Sequence, residues 1–235
     1  MPPNDKPKQT EQHFMASDLV HDIIIGMSDG LTVPFAIAAG MSGASVSATV
    51  VVIAGLAEIA AGSISMGLGG YLSSRTDLEH YETERKREVR ETHEVPHLEE
   101  EEVADSLRNI GLEEEQIPAV VESISSDRDK WVDFMMRFEL GLEEPDPGRA
   151  LRSALTIGLS YAVSGFIPLT PYIVMNTVRD ALYVSATVTL IALFVFGFIK
   201  GRLIGIKAGR SGLQTIIIGG LAAGAAFIIA RLIGG

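Results

Sequence analysis

The sequence predicts an all-α integral membrane protein with five transmembrane helices and a Glu-rich helical cytoplasmic insert between spans two and three. Two observations carry this prediction. The mean hydropathy of the 235 residues is +0.27 although 21% of them are charged, so the charge must be concentrated. Long stretches carry almost none of it: 31–74, where Glu58 is the one charged residue, and 153–178, 181–199 and 211–230. A helix that crosses a bilayer needs about 20 mostly apolar residues, so each stretch is long enough.

The first stretch is too long for a single span, and Gly40-Met41-Ser42-Gly43 provides a natural break within it. A soluble helical bundle is the alternative, but several uncharged helices of this length in one short chain are difficult to keep in water. The polar N-terminal tail contains no apolar signal segment, so the first span is expected to direct insertion. The five spans are expected at residues 23–41, 47–73, 153–169, 178–199 and 212–231.

Lysine and arginine residues predict the orientation in the membrane. Five spans place the N-terminal tail, the segment 74–152 and the loop 200–211 on one side, and 17 of the 19 basic residues lie there. By the positive-inside rule this side is cytoplasmic. The net charge of −11 comes mainly from the insert and argues against nucleic acid as a partner. The absence of cysteine excludes disulfides, thiolate metal sites and cysteine nucleophiles.

The insert differs in composition from the rest of the chain, because it is rich in Glu and Arg. The second span is expected to continue into it as one long helix that Pro96 ends. A short helix closed by Gly111 should follow, and then one or two helices ended by Gly141 and a Pro-rich turn. The predicted segments are the tail, spans one and two, the metal-binding insert, and spans three to five, at residues 1–20, 21–74, 75–149 and 150–235.

Carboxylates in the insert recur at helical spacing, and this pattern has two interpretations. Glu84, Glu88 and Glu91 share one helix face, and Glu99 and Glu102 share another. A solvated, salt-bridged helix surface is the ordinary interpretation of such pairs. The alternative is the capture of a metal ion by several carboxylates together.

Two methionines in the insert bear on the same question. Met135 and Met136 precede Glu139 by four and three residues, so both sulfur atoms can lie beside its carboxylate. Thioether sulfur among several carboxylates favours a divalent transition metal over calcium or magnesium. In the ordinary interpretation the methionines and Trp131 belong to a core. Spacing alone does not decide between the two.

Histidine patterns offer weaker candidates. Glu94 and His97 have the Glu-x-x-His spacing of di-iron bundles, and His93 and His97 are four residues apart. Pro96 interrupts the helix in both patterns, and the partner motifs are missing. The sequence contains no Gly-rich phosphate loop and no hydrolase or zinc-protease motif. We therefore expect no enzyme and no prosthetic group.

Acidic residues within the spans indicate an ion pathway, because ionisable groups in membrane helices usually mark one. Glu58 lies near the middle of span two, and Met66 follows on the same face about 12 Å along the axis. Asp22 and Asp29 share one face of span one, and Pro34 frees a backbone carbonyl there. Two buried acids and a methionine on adjacent helices predict a path for a divalent cation. For Glu58 alone, a single buried acid satisfied by Ser or Thr partners is the alternative.

Two segments resemble the vacuolar iron transporter family: DIIIGMSDGLTVPFAIAAG (22–40) and GLAEIAAGSISMGLGGYLSSRTDLEHYETERKRE (55–88). The Glu-rich insert with its late Met-Met-x-x-Glu is also similar. This resemblance implies a homodimeric exporter that exchanges cytoplasmic Fe²⁺, and often Mn²⁺, Co²⁺ or Zn²⁺, for protons. The family's pathway residues correspond to Asp29, Glu58 and Met66. Its cytoplasmic metal-binding residues correspond to Glu88, Glu91, Glu99, Glu102, Met135, Met136 and Glu139.

Under this interpretation Glu58 alternates between metal and proton. A passive divalent-cation channel and a membrane-bound ferroxidase that uses the insert are the two rival functions. The expected location is the cytoplasmic membrane in a prokaryote and the vacuolar membrane in a eukaryote. Small residues on spans two and five allow the close helix contact that a homodimer requires: Gly62, Ser63, Gly67, Gly70, Gly220 and Gly224.

Overall fold

The computed structural model describes the backbone of residues 9–44 and 46–234 and the side chains from Asp18 onward within these ranges. All regular structure among these residues is helical, as the sequence predicts. The first eight residues of the expected N-terminal tail lie outside the described residues. The helices are α1 (Gln9–Gly43), α2 (Ala48–Glu94), α3 (Pro96–Asn109), α4 (Ile117–Ser125), α5 (Arg128–Phe134) with a π-helical turn (Met135–Glu139), α6 (Arg149–Val174), α7 (Val178–Ile204) and α8 (Ala208–Gly234).

Five of these helices, α1, α2, α6, α7 and α8, are long and apolar enough to cross a membrane. Their outer surfaces carry many large apolar side chains, and Leu221 and Leu232 on α8 are 69% and 79% exposed. An apolar surface of this extent marks contact with another apolar phase rather than with water. The all-helical fold and its apolar helices are therefore those of a membrane protein.

The chain forms two compact units. One unit comprises the residues up to Tyr71 and those from Leu151 onward, and the other comprises Leu72–Ala150. The helix α2 contributes to both, and it is the continuous helix that the sequence predicts up to Pro96.

The third long helix is longer than expected. We expected a span over 153–169, but α6 continues to Val174 and includes Pro168 and Pro171. A proline removes the N–H that would bond to the carbonyl four residues earlier, so Pro168 and Pro171 leave the carbonyls of Ser164 and Ile167 without their helical donor. The helix nevertheless continues through both prolines. The hydroxyl of Ser185 on α7 donates to the carbonyl oxygen of Pro168 over 2.6 Å and so ties α7 to this part of α6.

The loop expected at 200–211 is also shorter in the structure. The helix α7 extends to Ile204, and Gly205 ends it with a φ of 80°. This left-handed conformation is one that glycine adopts at no steric cost, and its N–H donates to the carbonyl of Gly201. The helix α8 then begins at Ala208, so a three-residue connection joins the two helices.

Glycines bring α1 and α2 close to α6. A Cβ atom at Gly30 of α1 would overlap the backbone of Tyr161 and the hydroxyl of Ser164. A Cβ at Gly165 of α6 would lie 2.8 Å from Ile59 of α2 and 3.2 Å from Pro34 of α1. The three helices therefore meet along surfaces where a methyl group has no space.

The small residues of span two have a different role from the one we expected. A Cβ at Gly62 would overlap the ring of Tyr161, one at Gly67 would lie 2.8 Å from the carbonyl of Ala154, and one at Gly70 would lie 2.6 Å from Ile157. These glycines pack against α6 of the same chain. By contrast, a Cβ at Gly224 would meet no other heavy atom of the described residues within 4 Å.

The second unit has its own apolar core. The buried residues Val103, Leu107, Ile117, Trp131 and Met135 form one cluster, to which α3, α4, α5 and the π-helical turn contribute. Left-handed glycines follow the helices at the two expected places, Gly111 with a φ of 95° and Gly141 with a φ of 64°. The core around Trp131, the one tryptophan of the sequence, makes its fluorescence a specific reporter of this unit.

We expect Gly30→Ala to destabilise the protein, because the added methyl group overlaps backbone atoms of α6 that cannot move independently. Overpacking of this kind typically costs about 1–3 kcal/mol. The measurement is the thermal unfolding of the purified protein in detergent. Gly69→Ala is the matched control, since a Cβ there meets nothing within 4 Å among the described residues. Equal melting temperatures for the two variants would contradict the packing described here.

Candidate metal-binding sites

The first candidate site centres on Glu58 of α2. Tyr161 of α6, which is buried, donates its hydroxyl to Oε1 of Glu58. The second oxygen, Oε2, is buried and has no hydrogen-bond partner among the described residues. A buried polar atom without a partner costs free energy, so this oxygen is a favourable place for a proton or a cation. Gly62, one turn along α2, leaves the space that the Tyr161 ring fills.

The other predicted pathway residues lie on the same helices. Asp29 is partly buried and precedes Gly30, the residue that packs on the Tyr161 backbone. Asp29 therefore lies on α1 next to the point where this helix contacts α6, the helix that carries Tyr161. Met66 is partly buried two turns beyond Glu58. Asp22 is buried, and its carboxylate lies 4.0 Å from the ring of the exposed His21.

Sequence reasoning missed Tyr161. Its partner lies 103 residues away in the sequence, so no local spacing connects them. One signal was present: a tyrosine in the middle of an apolar helix needs a partner for its hydroxyl. An acid in another span was the natural one to consider.

The second candidate site is the carboxylate cluster of the insert. Glu88 and Glu99 are only 2% and 3% exposed, and the Oε2 atom of each lacks a hydrogen-bond partner among the described residues. Burial, together with the negative charges of Glu102, Glu88, Glu91 and Glu139, raises the pKa of Glu99 to about 7. The five glutamates that the resemblance implies as ligands are therefore close enough to repel one another.

The remaining predicted ligands are placed differently. Burial and the charges of Glu102 and Glu88 raise the pKa of Glu139 to about 7, although the side chain is exposed on one side, where water screens the effect. Met135 and Met136 are fully buried, and Met135 belongs to the apolar cluster around Trp131. In the part of the chain that the structure describes, no three His, Asp or Glu side chains stand close enough to share one ion. The carboxylates lie near one another but do not converge on one point.

An arginine that sequence reasoning did not weigh lies among these carboxylates. The guanidinium of Arg87 is 2.7 Å from Glu84, 3.3 Å from Glu88 and 3.3 Å from Glu91. Its spacing of three and four residues from Glu84 and Glu91 was the available signal. The same guanidinium opposes the rise in the pKa of Glu88 that burial causes.

The histidine patterns do not form sites. The helix α2 ends at Glu94 and α3 begins at Pro96, so Glu94 and His97 lie on different helices. The Nε2 atom of His93 lies 2.9 Å from the guanidinium of Arg128, which occupies that ring nitrogen. Pro96 separates the two histidines, as the sequence indicated.

Fold and sites together define a class of protein: a helical membrane protein that holds acids within its apolar helices and carries a separate acidic helical unit. Such a combination suits the handling of cations. Comparison with known sequences then identifies the family. The profile of the VIT family matches residues 20–231, and the chain belongs to this family.

Individual relatives agree with this assignment. The chain is 52% identical to "Vacuolar iron transporter 1" of Arabidopsis thaliana, over 95% of this chain and 90% of that protein. It is 51% identical to "Vacuolar iron transporter 1" of Oryza sativa subsp. japonica, over 95% and 88% of the two chains. It is also 37% identical to "Protein CCC1" of Saccharomyces cerevisiae, over 98% and 74%. The similarity therefore covers the long helices and the insert alike.

The raised pKa of Glu99 predicts how pH affects the metal-free protein. Between the ordinary pKa of 4.5 and about 7, Glu99 holds its proton in the folded protein and loses it in the unfolded one. Stability should therefore fall as the pH rises through this window and level off above it. We expect the melting temperature reported by Trp131 fluorescence to fall accordingly.

Two variants make this test specific. Glu99→Gln should reduce the pH dependence, because the amide does not titrate, and Glu139, whose pKa is also about 7, should account for much of what remains. Glu114→Gln is the control, since Glu114 is exposed and pairs with Arg108 outside the cluster. A Trp131 melting temperature that is constant across the window in the parent protein would show that Glu99 ionises normally.

Proposed function

We propose that this protein is a multi-pass transporter that moves a divalent transition metal, Fe²⁺ and also Mn²⁺, out of the cytoplasm in exchange for protons. The observation that carries the proposal is Glu58, an acid among apolar helices with one oxygen held by Tyr161 and the other buried and unpartnered. The names of the relatives supply the metal, since they are called vacuolar iron transporters.

The carboxylate of Glu58 is the exchange point in this mechanism. Tyr161 fixes Oε1 and so orients Oε2, which binds either a proton or the metal. The two ions exclude each other there, because a protonated carboxyl is a poor ligand and a bound cation repels the proton. A proton from the acidic compartment therefore displaces the metal. Asp29 supplies the second acid, and the thioether of Met66 helps to reject magnesium and calcium.

The insert is proposed to capture metal before transport. Glu88, Glu91, Glu99, Glu102 and Glu139 would supply oxygen ligands, and Met135 and Met136 would supply sulfur. The buried, unpartnered oxygens of Glu88 and Glu99 support this role over that of a solvated surface. A divalent ion would also remove the repulsion that raises the pKa of Glu99.

The location and assembly are part of the same proposal. All five long helices cross the membrane in this proposal, and the excess of basic residues on one side favours a cytoplasmic N-terminus and insert. The names of the two plant relatives favour the vacuolar membrane. Two copies form a homodimer, and the unfilled surface at Gly224 of α8 is compatible with a close helix contact.

Two other functions make different predictions. A passive channel would use the same acids but would need no proton gradient. A ferroxidase would use the insert, but Glu94 and His97 lie on different helices and the Nε2 atom of His93 contacts Arg128. The relatives are named as transporters, and we propose that this chain is not an enzyme.

Glu58→Gln should abolish metal uptake while the protein still folds, because the amide keeps the shape but cannot exchange a proton for a cation. The test is uptake of Mn²⁺ or anaerobic Fe²⁺ into proteoliposomes with an imposed pH gradient. Tyr161→Phe should slow uptake without abolishing it, since it frees Oε1 but leaves the acid. Glu114→Gln is the matched control and should transport normally.

The parent protein should concentrate metal only when the gradient is present. Purely downhill flux that ignores the gradient would favour the channel. Normal uptake by Glu58→Gln would remove this residue from the mechanism.

Metal should bind the insert and stabilise it. We expect Mn²⁺ to raise the Trp131 melting temperature of the full-length protein carrying Glu58→Gln, in which the membrane site is disabled. A ligand at 100 times its Kd stabilises a fold by about 2.7 kcal/mol. Adding Glu102→Gln or Glu139→Gln should remove most of this gain, whereas adding Glu114→Gln should not. Equal increases in melting temperature for all three added variants would indicate that the insert is an ordinary solvated domain.

A further inference from the structure

We propose that Arg87 is an internal counter-cation of the capture site, which binds the carboxylates of Glu88 and Glu91 when metal is absent and competes with metal for them. The inference rests on the proposed capture of metal by the insert. In this inference Arg87, which is not itself a ligand, determines how tightly the proposed ligands bind the metal ion.

The geometry places one cation on three carboxylates. Each nitrogen of the Arg87 guanidinium faces a different acid: Nη1 lies 2.7 Å from Glu84, Nη2 lies 3.3 Å from Glu88 and Nε lies 3.3 Å from Glu91. Two of these acids are proposed ligands, and Glu88 is almost fully buried. The second oxygen of Glu88 has no hydrogen-bond partner among the described residues, so the arginine satisfies only part of the cluster.

A guanidinium in this position opposes a metal ion. It is permanently charged and has only hydrogen-bond donors, so it uses the same carboxylate oxygens that a metal needs and cannot itself be a ligand. A divalent ion bound to Glu88 and Glu91 would lie beside a fixed positive charge, and the two repel at this range. The charge of Arg87 also acts on Glu139, which is the last of the proposed ligands in the sequence.

Glu84 can still bind the guanidinium of Arg87 when metal displaces it from the other two carboxylates. It makes the shortest of the three contacts with Arg87, and it is not one of the proposed ligands. When metal takes Glu88 and Glu91, the guanidinium can remain on Glu84 and turn away from the cluster. Each departing ion is then replaced by the arginine, which keeps the site exchangeable and favours passing metal on.

An ordinary surface salt bridge is the competing explanation, because the Arg87 side chain is 40% exposed and such pairs contribute little. The two explanations predict opposite changes in metal affinity when Arg87 is removed. A supporting salt bridge would position the ligands, so its loss would weaken both the fold and the binding of metal. A competing cation supports the empty site only, so its loss weakens the metal-free fold but strengthens binding.

The experiment measures the binding of Mn²⁺, with no other metal present, to the full-length protein carrying Glu58→Gln. Calorimetry gives the Kd, and Trp131 fluorescence gives the melting temperature. Arg87→Gln should lower the metal-free melting temperature and tighten Kd by about tenfold. Arg87→Lys should tighten it less, because an ammonium keeps the charge but cannot bridge three acids. Arg85→Gln removes the same charge from the same helix, where its partner is Asp133 at 3.7 Å, and should leave Kd unchanged.

Glu84→Gln adds an independent arm. It should weaken Mn²⁺ binding when Arg87 is present and have a smaller effect in the Arg87→Gln background, because Glu84 acts through Arg87. Fully additive effects of the two substitutions would contradict this coupling.

The outcomes separate this inference from the function on which it rests. Unchanged or weaker Mn²⁺ binding in Arg87→Gln, or in Arg87→Lys should the first variant fail to fold, overturns the role of Arg87 while metal capture stands. Failure of the parent protein to bind Mn²⁺ in a way that Glu102→Gln abolishes overturns the proposed capture and this inference together.

Discussion

A carboxylate that is removed from water must be protonated, paired with a cation or hydrogen-bonded, and both candidate sites of this protein are built on that requirement. At Glu58 one oxygen receives the Tyr161 hydroxyl and the other receives nothing from the described residues. In the insert, Glu88 and Glu99 are buried with one oxygen each left over. Neither arrangement is at its lowest free energy when empty. Each has an unpartnered carboxylate oxygen that a proton or a cation would satisfy, which is the property that a site for exchanging ions needs.

The packing of α6 places Tyr161 at the first of these sites. The ring reaches Glu58 because Gly62 has no side chain, and α1 packs directly on the backbone of Tyr161 because Gly30 has none. Hydrogen bonds within membrane helices hold the backbone rigid, so such close contacts fix the position of the tyrosine hydroxyl. The helix α6 continues through its two prolines, and Ser185 of α7 donates to the carbonyl of Pro168 and ties the two helices together.

Much of the fold was predictable because it depends on composition and local rules. The absence of charge located the long helices, and Pro96, Gly111 and Gly141 located ends within the insert. The acids could also be found, since Glu58 stands alone in an apolar stretch. The contacts could not be predicted, because they join residues remote in sequence. Tyr161 is the main example, and the packing of the span-two glycines on α6 instead of a second chain is another. The five glutamates proposed as ligands came from the resemblance. The structure places them near one another, but no three acidic side chains of the described residues converge on one point.

The glycine surfaces of α1 and α2 also constrain how this chain can evolve. Gly30, Gly62 and Gly67 face atoms that leave no volume for a methyl group, so hydrogen is the one side chain that these positions accept without a compensating change on α6. Positions such as Leu221, which face outward, require only that the residue be apolar. Sequence drift in the lineage is therefore expected to be concentrated on the outer faces of the helices. The inner faces can change only by paired substitutions, and these are rare because each intermediate is less stable.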